Sequence, residues 1–316
     1  MKFNTLIDLV KFFSTEEICH RFLKKIIWKD NKFCFFCNSH RIHEYKDFKR
    51  NRCYECKKTF SIRKGTIFDD SRIPLQKWFM SIYLINSNKK GISSIALAEQ
   101  IGVTQKTAWF MLQRIRNVSN KNFSNKLLND TVEIDEAYFG GKAKNMHMSK
   151  RIKKQGIYEK TTVLGMVERN NKVKAIKVQN AQANTLQREI YSNVQTDSII
   201  VTDEHKAYNS ISHFKYDHKV VNHSTGEYVR CDYITKRGEE RKAFKIHTNT
   251  IEGYWAWVKR GVYGIHHWVS KKHIQKYLND YSFKYNTKDL QNNERFVLFL
   301  EGVRNNKLTY KQLIAN

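Results

Sequence analysis

The sequence predicts an α/β protein in which a mixed β-sheet with flanking helices follows two smaller N-terminal modules. Four cysteines form two closely spaced pairs, and two short helices with a glycine between them follow. The second half of the chain has the pattern of three strands and then alternating helices and strands. This last order is that of a ribonuclease-H-like sheet, preceded here by a zinc ribbon and a helix-turn-helix.

The composition indicates the class of partner. The 316 residues include 57 Lys and Arg against 30 Asp and Glu, which gives a formal net charge of +27. Such an excess favours a polyanionic partner, either nucleic acid or an anionic membrane surface. No apolar run approaches the roughly 18 residues of a membrane helix, and the charged start lacks a signal-peptide cleavage site. We therefore expect double-stranded DNA as the partner and no membrane.

The cysteine spacing predicts a zinc site. Two pairs are separated by fifteen residues: Cys34-x2-Cys37 and Cys53-x2-Cys56. In a reducing compartment two such turns present four sulfurs to one ion. The Zn²⁺ is expected to be structural, because a closed four-thiolate shell leaves no position for substrate. Two disulfides in a secreted module are the alternative. Cys19 and Cys231 are interpreted as packing thiols.

A helix-turn-helix pattern follows the ribbon. After a helix that begins near Pro74, Ser93 or Ser94 can cap a short helix, Gly102 permits a tight turn, and Thr104 can cap the next helix. The alternative is a plain helical hairpin that does not bind DNA. Polar side chains on the second helix are the predicted DNA contacts: Gln105, Lys106, Thr107 and Arg114.

The chain is expected to divide into five segments. They are N-terminal helices (1–30), a zinc ribbon (31–68), a helix-turn-helix domain (70–120), a catalytic domain (130–290) and a C-terminal helical tail (291–316). Ser14-x-x-Glu17 has the form of a capping box and predicts the start of a helix. The basic stretch from Lys142 to Lys160 is interpreted as a loop, either simply solvated or in contact with a DNA strand.

The candidate chemistry lies in the catalytic segment. Asp135 lies in the strand TVEIDEAYF, and Asp203 ends an apolar run. An acid at such a position is costly unless it is solvated, paired or bound to a cation. Glu252 lies on a helix with Lys259 and Arg260, which can reach phosphates. One side of that helix is apolar and predicted to face the core: Ile251, Tyr254, Trp255 and Val258.

Three carboxylates without thiolates suit two Mg²⁺ ions, and Mn²⁺ can substitute. Two ions about 4 Å apart promote in-line displacement at phosphorus. Each acid alone also has a simple structural interpretation: Asp203 as a helix cap, Glu252 as a surface acid. Neighbouring histidines, His205 and His223 among them, are interpreted as DNA contacts or packing residues rather than as metal ligands or bases.

Three blocks of the sequence carry a family resemblance. IDEAYFGG around Asp135, VTDEHKAY around Asp203 and HTNTIEGYWAWVKRG around Glu252 look like the blocks of a DDE-type insertion-sequence transposase. More narrowly, the sequence resembles the bacterial group related to the Merlin elements, whose members often carry an N-terminal zinc ribbon. The resemblance covers the chain from Cys34 to about Asn286. It implies binding to terminal inverted repeats and Mg²⁺-dependent cleavage followed by strand transfer, in a cytoplasmic, nucleoid-associated protein.

The resemblance also implies roles for individual residues. Asp135 and Asp203 take the first two metal-ligand positions. Glu252 is favoured as the third, because a carboxylate neutralises Mg²⁺ better than an amide, and Asn249, one helical turn earlier, is the alternative. A homodimer or higher oligomer on DNA is expected from the need to pair two element ends. Two other functions stay open: a sequence-specific DNA-binding regulator with an inactive nuclease-like scaffold, and a nuclease that only hydrolyses.

Overall fold

The chain forms two compact units. The computed structural model describes residues 3–119, 121–124, 126–141, 160–211, 215–234 and 242–315. The first unit combines Met1–Asn122 with Thr287–Asn316, and the second unit spans Phe123–Asn286. Of the basic stretch predicted to be a loop, all but Lys160 lies outside the described residues. Within the described ranges no helix is long and apolar enough to cross a membrane.

The elements are numbered in chain order. Those that precede the large sheet are α1 (Leu6–Phe12), α2 (Glu16–Trp28), β1 (Ile42–Glu44), β2 (Arg50–Cys53), β3 (Thr59–Ser61), α3 (Leu75–Ser87), α4 (Ser94–Ile101), α5 (Gln105–Val118) and the single turn α6 (Lys121–Ser124). The rest of the second unit comprises β4 (Thr131–Phe139), β5 (Thr161–Glu168), β6 (Val173–Lys177), α7 (Ala183–Asn193), β7 (Ile199–Thr202), β8 (Asp217–Val220), β9 (Arg230–Ile234), β10 (Lys242–Ile246), α8 (Asn249–Ile265) and α9 (Ile274–Asn286). The C-terminal helices are α10 (Asn292–Glu301) and α11 (Tyr310–Ile314).

The core of the first unit is rich in phenylalanine. Phe13 lies edge-on to Phe22 and Phe79, with ring centroids 5.0 and 4.8 Å away. Phe296 on α10 also contacts this cluster, 5.4 Å from Phe79, and is fully buried. Residues 291–316 were expected to form a C-terminal helical tail. Helix α10 in this segment supplies part of the core of the first unit.

The start of α2 differs from the prediction by one residue. Thr15, and not Ser14, is the N-cap, and its side chain accepts the N–H of Ile18. The carboxylate of Glu16 accepts the N–H of Leu75 at 2.9 Å. Glu16 thereby caps α3, whose own N-cap residue, Pro74, has no side-chain hydrogen bond to offer.

Helices α4 and α5 are joined by a tight turn. Ser93 caps α4 and Thr104 caps α5, each through its side-chain oxygen. Gly102 takes a left-handed conformation with φ 61°, which a glycine adopts without a steric penalty. The N–H of Val103 bonds to the carbonyl of Ala98 at 3.1 Å, which closes the turn between the two helices.

The second unit contains a five-stranded sheet in the order β6-β5-β4-β7-β8. Strands β4, β5 and β6 are antiparallel, whereas β7 runs parallel to both β4 and β8. One face packs against α8 and α9 through residues such as Val163 and Trp255. The other face packs against α7 through residues such as Ile134 and Leu186. The sheet is therefore mixed and carries helices on both faces.

A short antiparallel hairpin, β9–β10, precedes α8. Ile246 of β10 is buried in a small cluster with Val201 and Val221. Cys231 of β9 is exposed, whereas Cys19 of α2 is fully buried. The interpretation of both cysteines as packing thiols is therefore right for Cys19 and wrong for Cys231, because alternate residues of the hairpin point away from the cluster.

Candidate functional site

The four paired cysteines come together in two matching turns. The N–H of Cys34 bonds to the carbonyl of Ser39 at 2.9 Å, and the N–H of Cys53 bonds to that of Lys58 at 3.1 Å. The residue after the second cysteine of each pair has a positive φ: Asn38 at 57° and Lys57 at 59°. The same backbone geometry thus occurs twice and turns both pairs toward one point.

The sulfur positions fit a tetrahedral ion. All four Sγ atoms lie within 4.8 Å of one another, and the Cys34–Cys56 and Cys37–Cys53 separations are 3.6 Å. A zinc–sulfur bond of about 2.3 Å places tetrahedral sulfurs about 3.8 Å apart, whereas a disulfide requires about 2.05 Å. The cluster therefore fits zinc rather than two disulfides. Nδ1 of the nearby His40 lies 2.7 Å from the carbonyl oxygen of Lys32, so this nitrogen already has a hydrogen-bond partner.

In the second unit, the strand register aligns two of the predicted acids. Glu133 of β4 pairs with Val201 of β7 in parallel. The same offset, continued by two residues, brings Asp135 level with Asp203, which directly follows the end of β7. One carboxylate oxygen of Asp203 accepts the N–H of His205 at 3.0 Å, so the side chain closes the turn that leaves the sheet.

A glycine in the next strand brings α8 close to these acids. Gly165 of β5 lies opposite Asp135 in the antiparallel register. A Cβ atom there would lie 2.4 Å from the ring of Trp255 and 2.8 Å from Cδ1 of Ile251. The apolar face predicted for α8 is confirmed, since the side chains on it are buried: Ile251, Tyr254, Trp255 and Val258.

Glu252 lies in the first turn of α8, on its exposed side. Its Oε1 accepts the hydroxyl of Thr248 at 3.0 Å and lies 3.6 Å from Nε2 of His223. Asn249, the alternative third ligand, is also exposed at the start of the same helix. His223 therefore contacts Glu252, and this contact was not predicted from the sequence.

The negative charges of Asp203 and Glu252 affect the ionisation of Asp135. Burial raises the pKa of Asp135 to about 7, and the negative charges of Glu136, Asp203 and Glu252 add to the increase. Such mutual repulsion means that a bound cation would stabilise the ionised carboxylates. The donors are oxygens only, which suits Mg²⁺ or Mn²⁺. Among the described residues, the cysteine quartet is the group whose ligand atoms converge within 4.8 Å; the acids are not drawn together that closely.

A fourth carboxylate, that of Glu136, projects from the face of β4 opposite to that of Asp135. It accepts a hydrogen bond from the hydroxyl of Tyr208 and lies 3.9 Å from Nδ1 of His205. Burial raises its pKa, and Asp203 contributes to the increase. Glu136 is not among the residues selected from the sequence. The sequence did offer one signal for Glu136. It follows Asp135 in the block IDEAY, and its partner Tyr208 lies in the block VTDEHKAY that contains Asp203.

The predicted DNA contacts on α5 divide into two groups. Gln105 and Lys106 are exposed at the start of the helix, beside the partly exposed Thr107. Arg114 is only 4% exposed and donates to three backbone carbonyl oxygens at 2.7–2.8 Å: those of Ile67, Asp69 and Leu308. Arg114 therefore holds the first unit together and does not present its charge to a ligand. Its prediction as a DNA contact is wrong.

Lys259 and Arg260 are exposed on α8, beyond Glu252. The exposed side of this helix carries Asn249, Glu252 and Lys259. An acid in the first turn is thus followed along one helix face by cations. This arrangement suits a metal ion near the sheet and phosphate groups further out.

The ribbon, the acids on a mixed sheet and the excess of basic residues together suggest a DNA-binding protein. The chain belongs to the family with the ISXO2-like transposase domain, whose model matches residues 127–286. Residues 14–59 match the transposase zinc-ribbon domain. The match to the ribbon family supports structural zinc at the cysteine cluster.

Two relatives are consistent with this family. An uncharacterized protein in transposable element ISH50 of Halobacterium salinarum is 25% identical over 87% of this chain and 92% of its own length. An uncharacterized transposase-like protein of Haemophilus influenzae is 27% identical over 38% of this chain and 85% of its own length. No solved structure matches the chain significantly.

Proposed function

We propose that the protein is a DDE-type transposase that binds the terminal inverted repeats of its element, cleaves DNA and joins it to a target. What supports this proposal most is the match of residues 127–286 to a transposase domain. The strand register adds to it, because it brings Asp135 of β4 level with Asp203 after β7, and Glu252 lies exposed in the first turn of α8. The strand order supports a ribonuclease-H-like domain. In such a sheet, acids from distant parts of the sequence surround one point.

The three acids would hold two Mg²⁺ ions, which Mn²⁺ can replace. The ions would stabilise negative charge on both the attacking and the leaving oxygen of an in-line displacement at phosphorus. The carboxylate of Asp203 is oriented by the N–H of His205, and that of Glu252 by the hydroxyl of Thr248. Lys259 and Arg260 bind the phosphates on either side of the reacting one and neutralise their charge.

The first unit recognises the element ends. Gln105, Lys106 and Thr107 at the start of α5 contact base edges or phosphates, as the second helix of a helix-turn-helix does. The zinc ribbon adds a second contact to the same DNA. Because two ends must be joined to one target, two or more copies of the chain act together.

The test is a strand-transfer assay on labelled DNA that contains the native flanks of the gene, with Mg²⁺. We expect joined products from the wild type and none from Asp203→Asn or Glu252→Gln. Asn249→Ala identifies the third ligand, because it should retain activity if Glu252 has that role. Asp217→Asn changes an exposed acid of β8 and serves as the matched control.

Three outcomes contradict the proposal in different ways. Specific binding without cleavage by the wild type, in Mg²⁺ or Mn²⁺, would indicate a DNA-binding regulator. Cleavage without joining would indicate a nuclease that only hydrolyses. Equal activity of the wild type and Asp203→Asn would show that the reaction takes place elsewhere in the protein.

A further inference from the structure

Glu133 is a fully buried carboxylate two residues before Asp135. Its Oε2 accepts the backbone N–H groups of Thr250 at 2.8 Å and Ile251 at 3.0 Å. Its Oε1 accepts the hydroxyl of Thr250 at 2.9 Å and Nε of Arg169 at 2.7 Å. A strand residue is therefore bound directly to the first turn of α8.

This contact takes the place of a local helix cap. The first N–H groups of a helix have no partner within the helix, and a Ser or Thr at the N-cap commonly accepts one of them. Thr248, the N-cap of α8, makes no such bond. Its hydroxyl is donated to Glu252 instead, at 3.0 Å. Glu133 supplies the missing cap, and Thr248 is thereby available to orient Glu252.

Arg169 binds both Glu133 and the segment that precedes α8. Besides Glu133, its guanidinium donates to the carbonyl of Lys245 at 2.6 Å and to that of His247 at 2.9 Å. The segment that leads from β10 into α8 is thus fixed to the same side chain. The Glu133–Arg169 pair lies largely out of water, and such pairs usually add little to stability compared with apolar residues. The geometry points to a positional role.

We propose that Glu133, held by Arg169, is a positioning residue that sets the first turn of α8, and with it Glu252, against Asp135. Side chains two apart on a strand lie on one face, about 6.6–6.8 Å apart, so Glu133 and Asp135 face α8 together. Glu252 follows Ile251, one of the residues that Glu133 caps. This inference rests on the proposed function, since it assigns Glu133 to the same acid site.

The experiment compares Glu133→Gln with Asp280→Asn in the full chain. Asp280 is also fully buried and paired with a cation, Lys284, within the second unit, but it lies on α9. Four quantities are measured: the single-turnover cleavage rate, the Mg²⁺ concentration at half-maximal rate, the Kd for DNA, and the hydrogen exchange of the Thr250 and Ile251 amides. Glu133→Asp and Arg169→Lys, which keep the charges, provide milder variants in case Glu133→Gln does not fold.

Glu133→Gln should lower the cleavage rate about 10- to 100-fold, as expected for a displaced reacting group. It should also raise the Mg²⁺ midpoint, leave the Kd for DNA unchanged, and speed exchange at Thr250 and Ile251. Glu133→Asp and Arg169→Lys should lie between it and the wild type. Asp280→Asn should lower stability alone, with the rate and the Mg²⁺ midpoint of the wild type.

Two results would overturn the inference. One is a folded Glu133→Gln protein with wild-type rate and Mg²⁺ midpoint. The other is an equal loss of rate in Asp280→Asn, which would indicate a general effect of destabilisation. A wild type that neither cleaves DNA nor binds Mn²⁺ would instead overturn the proposed function, and the catalytic role of Glu133 with it. The hydrogen-exchange measurement does not depend on catalysis and tests only the contact between Glu133 and α8. Unchanged exchange at Thr250 and Ile251 in Glu133→Gln would show that Glu133 does not cap the helix.

Discussion

Asp135 occupies a position that is unfavourable for an ionised carboxyl group. Burial and three neighbouring acids raise its pKa from the ordinary 3.8 to about 7. As the pH rises from 4 to 7, the unfolded chain loses this proton while the folded protein keeps it. Folding stability therefore falls over that range. At 1.36 kcal/mol per pKa unit, the loss approaches about 4 kcal/mol above pH 7.

We expect Asp135→Asn to raise the melting temperature of the metal-free protein. The gain should be largest at pH 8, where the wild-type carboxyl is ionised, and should shrink toward pH 4, where both proteins are neutral at this position. Thermal unfolding at several pH values, with EDTA present, measures the difference. Asp217→Asn, an exposed acid, should show no such trend. A gain that does not depend on pH would contradict the electrostatic explanation.

Single residues also show where prediction from sequence stops. The acids Asp135, Asp203 and Glu252 could be selected because each stands out against its own element. Two helix caps supplied from distant parts of the sequence could not be found in this way. Glu16 caps α3 from 59 residues away, and Glu133 caps α8 from 117 residues away, whereas a capping box is a local pattern. The prediction of Arg114 as a DNA contact was wrong for a similar reason. Its position on α5 does not reveal that other segments of the first unit cover its side chain.

At the level of elements, the approach of α8 to the sheet depends on Gly165. We expect Gly165→Ala to destabilise the protein by about 1–3 kcal/mol, because the added methyl group would overlap Trp255 and Ile251. It should also lower catalytic activity by moving the first turn of α8. Gly264→Ala, on the same helix with open space around its Cβ position, should be neutral or stabilising. Chemical denaturation of both variants tests this, and equal effects would contradict it.

The zinc ribbon is the element that the sequence predicts best. Its ligands lie within two short turns, so the spacing alone is nearly sufficient, and the family match agrees with it. The hairpin β9–β10 was not predicted as a pair of strands, because the stretch STGEYVRCDYITKRGEERKAF between Asp203 and Glu252 looks like a loop or insertion in the sequence alone. Its apolar residues Phe244 and Ile246 pack in a cluster with Val201 of β7 and with Val221, which follows β8. Such distant partners leave little trace in the local pattern.

We expect one zinc per chain in the purified protein. Cys34→Ser and Cys53→Ser should each abolish it, because three thiolates hold the ion far less well than four. Cys231→Ser removes an exposed thiol outside the cluster and should leave the stoichiometry unchanged. Elemental analysis of freshly purified protein provides the measurement. A zinc-free wild type, or zinc loss in Cys231→Ser, would contradict the assignment.

At the level of the whole molecule, the net charge of +27 should dominate binding to any duplex. The logarithm of the binding constant should fall linearly and steeply with the logarithm of salt concentration. Lys259→Ala combined with Arg260→Ala should reduce the slope by about two, roughly one for each phosphate that is no longer neutralised. Lys307, already bound by Asp69 at 3.2 Å and by Asp70, provides the control Lys307→Ala. Binding that does not respond to salt would exclude a phosphate-dominated interface.

The burial of Phe296 in the N-terminal unit has a consequence for synthesis on the ribosome. A nascent chain that has emerged as far as Asn286 already contains every residue of the second unit, with its acids. The first unit still lacks α10 at that stage, and the cluster around Phe13 and Phe79 is incomplete. A fragment released by premature termination at that point would contain all of the second unit, whereas its first unit would lack Phe296. We therefore expect Phe79, which contacts both Phe13 and Phe296, to be less well buried in such a fragment than in the full chain.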